Sequence, residues 1–351
     1  MPGKSVQRSE LHLVVPGICG PLADAAPLAS NPIIERWIKT LSKSRCLNAQ
    51  GNSDANDVLA SIFQLDFEND FPSAAFTLLA NDLYDPEKFY MHADPVHLQA
   101  DIDSALLTPG ADLNISDAEA DRFCQALNQH FAEDGLTFQV MNNKQWFVSS
   151  KKEIKLKTTP LVYATARNIN FLLPSGDDAI RWKQLLTEAQ MLLHAHELNA
   201  AREAAGRMSI NSLWFHGSGK LMPFENNGVN HLCGDDDLLK GFSRQVKCDY
   251  LQRPASVNGY LDYLLSCEPG TKSVLHLAEL EHLVNYTDVQ PWLKQLEKTL
   301  DGWFYPLLDF SNKNNIKLTL YPCNEKKYQF SKHDVLKFWR KDPLEKHVNS
   351  Y

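Results

Sequence analysis

The sequence predicts an α/β fold: a mostly parallel sheet covered on both sides by helices, with a smaller α+β insertion. Three observations carry this. Short strand-like apolar runs at 11–15, 273–277 and 316–320 are separated by segments of helical periodicity, the alternation that builds a covered parallel sheet. The first run feeds directly into the turn signal Pro16-Gly17, as first strands of α/β domains do. From about 106 to 189 the texture changes to a capped helix and hairpin-like strands. The expected division is a core of residues 1–105 and 190–351 and an inserted α+β lobe of residues 106–189.

In chain order, residues 1–10 are polar and expected to fray. Asn31-Pro32 opens a helix, because proline at the first position sacrifices no hydrogen bond, and Ile33, Ile34, Trp37, Ile38 and Leu41 share one face. A polar loop covers 48–57 and a short helix 58–65. Residues 71–85 read as a loop entering a helix, with Ser73 following Pro72, and residues 90–98 as a strand interrupted by a turn at Pro95. Ser116 and Glu119 form a capping box for a helix that turns Ala120, Phe123, Leu127 and Phe131 inward. Strands are expected at 136–140, 145–149 and 160–165, the first two joined by Asn142-Asn143-Lys144.

A helix then carries Leu185, Leu186, Ala189, Leu192 and Leu193 and runs to a stop at Gly206. A strand at 210–215 delivers the loop His216-Gly217-Ser218-Gly219-Lys220, and in open α/β sheets ligands bind at the carboxyl ends of strands. Helices follow at 235–244, 257–265 and 287–308. The last begins with a Thr287/Gln290 capping box and tolerates Pro291 in its first turn.

Composition narrows the function. The chain has 351 residues, 44% hydrophobic and 22% charged, with a net charge of −8, which argues against nucleic acid as a partner. Lys151-Lys152 and the tail near Lys337, Arg340 and Lys341 read as solvated surface. Seven cysteines, an odd number with no C-x-x-C pair, suit reduced thiols in a cytoplasm. The apolar run at 11–15 is too short for a signal peptide, and no run reaches membrane-spanning length.

Several local motifs resolve into ordinary readings. Gly217-Ser218-Gly219-Lys220 resembles the end of a phosphate loop, but that pattern needs Gly where Trp214 stands and Ser or Thr where Leu221 stands. What remains is anion binding by the loop amides. His194 and His196, two apart on a helix, fall on different faces and make no metal pair. Asp94 and His97 can meet if the chain turns at Pro95, and Ser73 is either an N-cap or a hydroxyl activated at a helix start.

Two segments carry a family resemblance. His196-Glu197-Leu198-Asn199, Arg202, Gly206 and Asn211, followed by Gly217-Ser218-Gly219, resemble H-P-x-N-x-x-R-x-x-x-G-x-x-x-A-N and R-G-x-G of the archaeal-type cofactor-independent phosphoglycerate mutases, members of the alkaline phosphatase superfamily. Residues 71–79 with Tyr84-Asp85-Pro86 are similar to P-G-S-D-T-A-N-L-A-L-L-G-Y-D-P of the same family. More narrowly, residues 93–98, 188–193 and 211–219 resemble the bacterial RpfE-type regulatory protein offshoot.

The resemblance implies a three-layer alkaline phosphatase-like core. It also implies two divalent metals and a transiently phosphorylated Ser or Thr, here Ser73. The metals would neutralise phosphoryl oxygens and lower the nucleophile's pKa. It places the metal ligands at three strand ends, where this sequence carries Pro16, then Glu281 and Asn285, then Cys323 and Asn324. Proline has no side-chain donor, and Asn285 replaces an imidazole.

The expectation is a catalytically degenerate mutase-like protein with no cofactor and no bound metal. It would act in the cytoplasm as a regulatory or binding protein for a small phosphorylated or anionic ligand, with no nucleic-acid or membrane partner and no protein partner identified. Arg202, His216, Ser218 and Lys220 are the expected ligand-binding residues. The alternative is an active metal-dependent phosphotransferase, mutase or phosphatase with ligands recruited from Asp94, His97, Glu281, His282 or Cys323.

Overall fold

The expected first strand forms and lies in the middle of a seven-stranded sheet. The computed structural model describes residues 8–20, 31–51, 53–100, 105–286 and 288–334, with Lys337 and Arg340. Most of the 1–10 segment, Thr287 of the expected capping box, and Lys341 of the basic tail lie outside the described residues. The strands are β1 (Glu10–Val14), β2 (Arg45–Asn48), β3 (Phe89–Ala100), β4 (Ala105–Pro109), β5 (Leu136–Asn142), β6 (Gln145–Ser150), β7 (Ser212–Gly219), β8 (His231–Gly234), β9 (Asp249–Gln252), β10 (Lys272–His276), β11 (Lys317–Tyr321) and β12 (Lys326–Phe330).

The chain divides into two units, Met1–Asp66 with Phe224–Tyr351, and Phe67–Pro223. The second unit is larger than the 106–189 insertion expected, and the reason is strand pairing. β3 and β7, which flank that stretch, pair with each other, and β3 also pairs with β4 and β6, all antiparallel. Residues on both sides of the expected lobe are therefore tied into its sheet.

The first unit holds the sheet β2-β12-β11-β1-β10-β8-β9. β11, β1, β10, β8 and β9 run parallel, and β12 and β2 add an antiparallel edge. Leu11 and Leu13 of β1, Leu275 of β10 and Leu318 and Leu320 of β11 pack into one core with Trp37, Leu41, Leu296, Phe304 and Leu307 from the helices. The helix Pro32–Lys43 starts as expected, with Asn31 accepting from the Ile33 amide at 2.9 Å and proline at its first position. The long helix expected near 287–308 is three pieces, Gln290–Thr299, a π-helical turn Leu300–Phe304 and Tyr305–Lys313. Pro306 accounts for the turn: it has no amide to donate, and Tyr305 N–H bonds back five residues to Leu300 O.

The second unit is an antiparallel sheet, with order β4-β3-β6-β5 and β7 alongside β3. Asn142-Asn143-Lys144 closes the β5–β6 hairpin, and the Ser116/Glu119 capping box opens the helix Asp117–His130. One sheet face, with Met91, Ala93, Val148, Leu213 and Phe215, packs on Phe123, Leu127, Trp182 and Leu185 of the helices.

Four expectations change here. β3 continues through Pro95 without a turn, because Pro95 falls between the span paired to β6 (ending at His92) and the span paired to β4 (starting at Val96). The stretch 160–165 contains a short helix, Leu161–Ala164. The helix through Leu185 ends at His194, and a second, Glu197–Ala204, starts from His196 as N-cap. His196 accepts from the Leu198 amide at 3.2 Å, so it is a cap and not a helical side chain. Finally, the Gly217-Ser218-Gly219 stretch lies within β7, not beyond a parallel strand's end.

Candidate functional site

A bulge in β7 organises the polar cluster of the second unit. Tyr90 pairs with Gly219 and His92 with His216, so Gly217 and Ser218 together face the single residue Met91. The bulge frees two amides. Gly217 N–H donates to Thr158 Oγ1 at 2.8 Å, and Ser218 N–H donates to Asp70 Oδ2 at 3.1 Å. Thr158 Oγ1 also donates to Asp70 Oδ2, and the Phe71 amide donates to Asp70 Oδ1 at 3.0 Å. Burial pushes the Asp70 carboxyl up to about 6 in spite of these donors.

The helix Ser73–Ala80 packs across β3 and β7 beside the bulge. Both bulge glycines are required by that close approach. A Cβ at Gly217, whose φ is +65°, would sit 1.8 Å from Ser73 Oγ, and one at Gly219, with φ +150°, would sit 2.9 Å from Pro72 Cβ. Ser73 is the first residue of its helix and 3% exposed. Its hydroxyl makes no cap bond, and the N-cap position belongs to Pro72.

Period-two alternation puts His92 and Asp94 of β3 on one face, with His216 opposite His92 on β7. The two imidazole rings stack at 4.4 Å between centroids, 8° from parallel, and Phe147 lies against His92 at 4.7 Å. His216 Nε2 and Asp94 Oδ2 are 2.9 Å apart, and Asp94 Oδ1 accepts from the Trp146 amide at 3.1 Å. Burial lowers both histidines to about 3, with the His216 ring also disfavouring charge on His92, and raises Asp94 to about 6. Near neutrality the trio is two uncharged imidazoles and one buried carboxylate.

Known proteins place this architecture. No protein-family model matches the chain. Over 158 residues it is 27% identical to the 2,3-bisphosphoglycerate-independent phosphoglycerate mutase of Methanosarcina barkeri, covering 42% of this chain and 39% of that one. The chain is phosphoglycerate mutase-like. Over 156 residues it is 26% identical to 2,3-bisphosphoglycerate-independent phosphoglycerate mutase 2 of Methanothermobacter thermautotrophicus, again 42% of this chain and 39% of the relative. The match thus spans about two fifths of these mutases' length. The PH0037 protein of Pyrococcus horikoshii shares the fold, with a TM-score of 0.50 at 16% identity over 92% of this chain and 87% of its own.

The residues singled out by resemblance to the mutases fall in different places. Ser73, His216 and Ser218 come together at the bulge, and Lys220 follows with its ammonium 5.7 Å from the Phe89 ring centroid. Arg202 is not an anion-holding surface cation. It is 0% exposed, and its guanidinium donates to Glu119 Oε1 at 3.0 Å, to Met208 O at 2.8 Å and to Leu113 O. His97 does not meet Asp94, because three positions apart on a continuous strand means opposite faces; its Nδ1 lies 2.8 Å from Ser209 O.

Pro16, Glu281, Asn285, Cys323 and Asn324 belong to the first unit, beyond the carboxyl ends of β1, β10 and β11. There Trp292 Nε1 donates to Gly17 O at 2.8 Å, and burial, reinforced by the Glu281 charge, pushes the Cys323 thiol well above its usual range. Nearby acids are paired with protein cations: Arg253 bonds Asp235 and Glu279, and His276 Nδ1 lies 3.5 Å from Asp236. A cleft of about 580 Å³ in this unit is lined by His231, Asp249 and Cys267 among others, at the amino ends of β8 and β9 and so at the opposite end of the sheet.

Sequence reasoning missed His92, Asp70 and Thr158. The signal for His92 was the alternation His92-Ala93-Asp94, hidden by reading Pro95 as a turn. Nothing local marked Asp70 or Thr158, whose roles depend on a strand 148 and 59 residues away respectively.

Proposed function

We propose that this mutase-like protein works by binding, in a regulatory role, and not by two-metal phosphoryl transfer. The observation that carries the reading is the residue set beyond the carboxyl ends of β1, β10 and β11. The mutase resemblance asks for carboxylates and imidazoles there. Pro16 has no donor, Asn285 and Asn324 are neutral amides, and Cys323 is a buried protonated thiol, leaving Glu281 as the one carboxylate of the five. These residues do not fit two divalent cations, so no step is routed through such metals.

Of the expected anion-binding residues, Lys220 alone keeps a partly exposed charge. Arg202 is internal, His216 is neutral, and the Gly217 and Ser218 amides are spent on Thr158 and Asp70. The RpfE-type regulatory offshoot agrees with a binding role, and free thiols at all seven cysteines support a reducing cytoplasmic setting.

The deciding experiment measures conversion of 3-phosphoglycerate to its 2-isomer with manganese or cobalt present, alongside calorimetric titration of 3-phosphoglycerate. Binding without turnover is expected. Turnover that disappears with a chelator and with Ser73→Ala would overturn the reading. An active phosphotransferase with an altered metal site is the second reading, favoured by the His92, Asp94 and His216 cluster beside Ser73.

A further inference from the structure

His92, Asp94 and His216 sit on one face of two paired strands at 5%, 5% and 9% exposure, and one ligand atom from each lies within 4.8 Å of the others. Three features of the trio call for a cation. The Nδ1 atoms of both rings are buried with no hydrogen-bond partner, so one nitrogen of each imidazole is left unsatisfied by the protein. Asp94 is a buried carboxylate with no lysine or arginine beside it among the described residues. His216 Nε2 and Asp94 Oδ2 approach to 2.9 Å, so the carboxylate already stands against one of the two rings that would share the ion.

We propose that His92, Asp94 and His216 together bind one divalent transition-metal ion of the zinc class. Two imidazoles with one carboxylate select zinc, cobalt or nickel over magnesium and calcium, which take oxygen ligands. Three protein ligands leave a fourth position, as in open zinc sites. Ser73 lies near the His92 ring: a Cβ placed on Gly217 would be 1.8 Å from Ser73 Oγ and 3.3 Å from His92 Cδ2. Binding needs the donors that now stand up to 4.8 Å apart to close to about 3.4 Å, the spacing of a tetrahedral site. The second unit alone provides these ligands, so the site is separate from the three strand ends of the first unit and does not rest on the binding reading.

The test uses the intact chain, stripped with a chelator and titrated with cobalt(II). One equivalent should bind with the visible absorption of a four- or five-coordinate ion and be displaced by zinc. His92→Gln, His216→Gln and Asp94→Asn should each weaken binding by about 10–100-fold or more, while Glu281→Gln combined with Cys323→Ser leaves it unchanged. No stoichiometric cobalt in the unaltered chain overturns the proposal whatever the variants do. Binding that survives both histidine substitutions, or that is lost with Glu281→Gln, overturns it equally. Should the variants fail to fold, copper(II) loaded into the unaltered chain decides: its electron spin resonance should show coupling to two imidazole nitrogens, and the absence of that coupling rules the site out. Phosphoglycerate turnover on the same loaded sample separates the questions, since metal with turnover removes the binding reading and leaves this site standing.

Discussion

Arg202→Met is the most informative substitution in the second unit, because it sets a structural role against a ligand-binding one. The guanidinium joins three segments: Leu113 O before the capping box, Glu119 within it, and Met208 O after the helix that carries Arg202. Methionine keeps much of the apolar stem and removes every donor. Breaking a buried ion pair costs about 3–5 kcal/mol, and two carbonyls lose charged donors as well. Part of the loss is recovered, because Glu119 keeps Arg207 at 2.9 Å and the Ser116 amide at 2.9 Å.

A net destabilisation of about 3 kcal/mol follows. Two units need not unfold together, so the measurement is hydrogen exchange by mass spectrometry, read over the helices Asp117–His130 and Glu197–Ala204. Both should exchange faster by roughly a hundredfold, that free energy divided into powers of ten, while binding of 3-phosphoglycerate is unchanged. A change under 1 kcal/mol, or unaltered exchange with weakened phosphoglycerate binding, would refute the structural role and restore Arg202 as an anion ligand.

Glu119 should also govern acid stability. Burial alone would raise its pKa, but the capping bonds with Ser116 and the two arginines bring it down to about 2 from 4.5. A depressed folded-state pKa means stability that is present above about 4.5 and lost as pH falls toward 2, worth up to about 3 kcal/mol. Urea unfolding between pH 6 and pH 2 should therefore flatten in Glu119→Gln, and an unchanged slope would count against it. Gly217→Ala forces a methyl to 1.8 Å from Ser73 Oγ at a φ of +65°, and a fall of at least 2 kcal/mol is expected, about what one strained backbone position costs; a neutral effect by thermal melting would mean that the bulge relaxes. Of the seven thiols, Cys46, Cys248 and Cys267 are partly exposed and four are buried, so disulfide reagents should label at most three in the native state. Rapid labelling of Cys19 or Cys323, both held protonated by burial, would contradict the packing of the first unit.

What could be read from the sequence was local. The Ser116/Glu119 capping box, the Asn31-Pro32 helix start and the parallel strands of the first unit depend on neighbours within a few residues, and they formed within one or two positions of expectation. The second unit depends on pairing between distant strands. The proline in β3 is tolerated because it falls in the gap between the spans paired to β6 and β4, with β7 alongside at Leu213, which a single chain's letters do not reveal. The same holds for β7: its apolar run predicts a strand, but not that it pairs with β3 in a separate antiparallel sheet. His216 and Ser218 were picked out by resemblance, and their partners Asp94 and Asp70 emerge only once the bulge is seen. The internal bonds of Arg202 were not legible because a buried cation answering a capping carboxylate looks the same, in sequence, as one waiting for phosphate.

The extra residue at Gly217-Ser218 resets the odd-even count along its strand. His216 and Gly219 stand opposite His92 and Tyr90, two positions on the same side of β3, although they lie three positions apart on their own strand. Removing one residue from this pair would swap inside for outside in everything that follows, turning Lys220 and Leu221 about the strand axis. A relative with the same letters but no such insertion would present different side chains to its interior, so letter-by-letter transfer of roles past His216 holds only between proteins that share the kink.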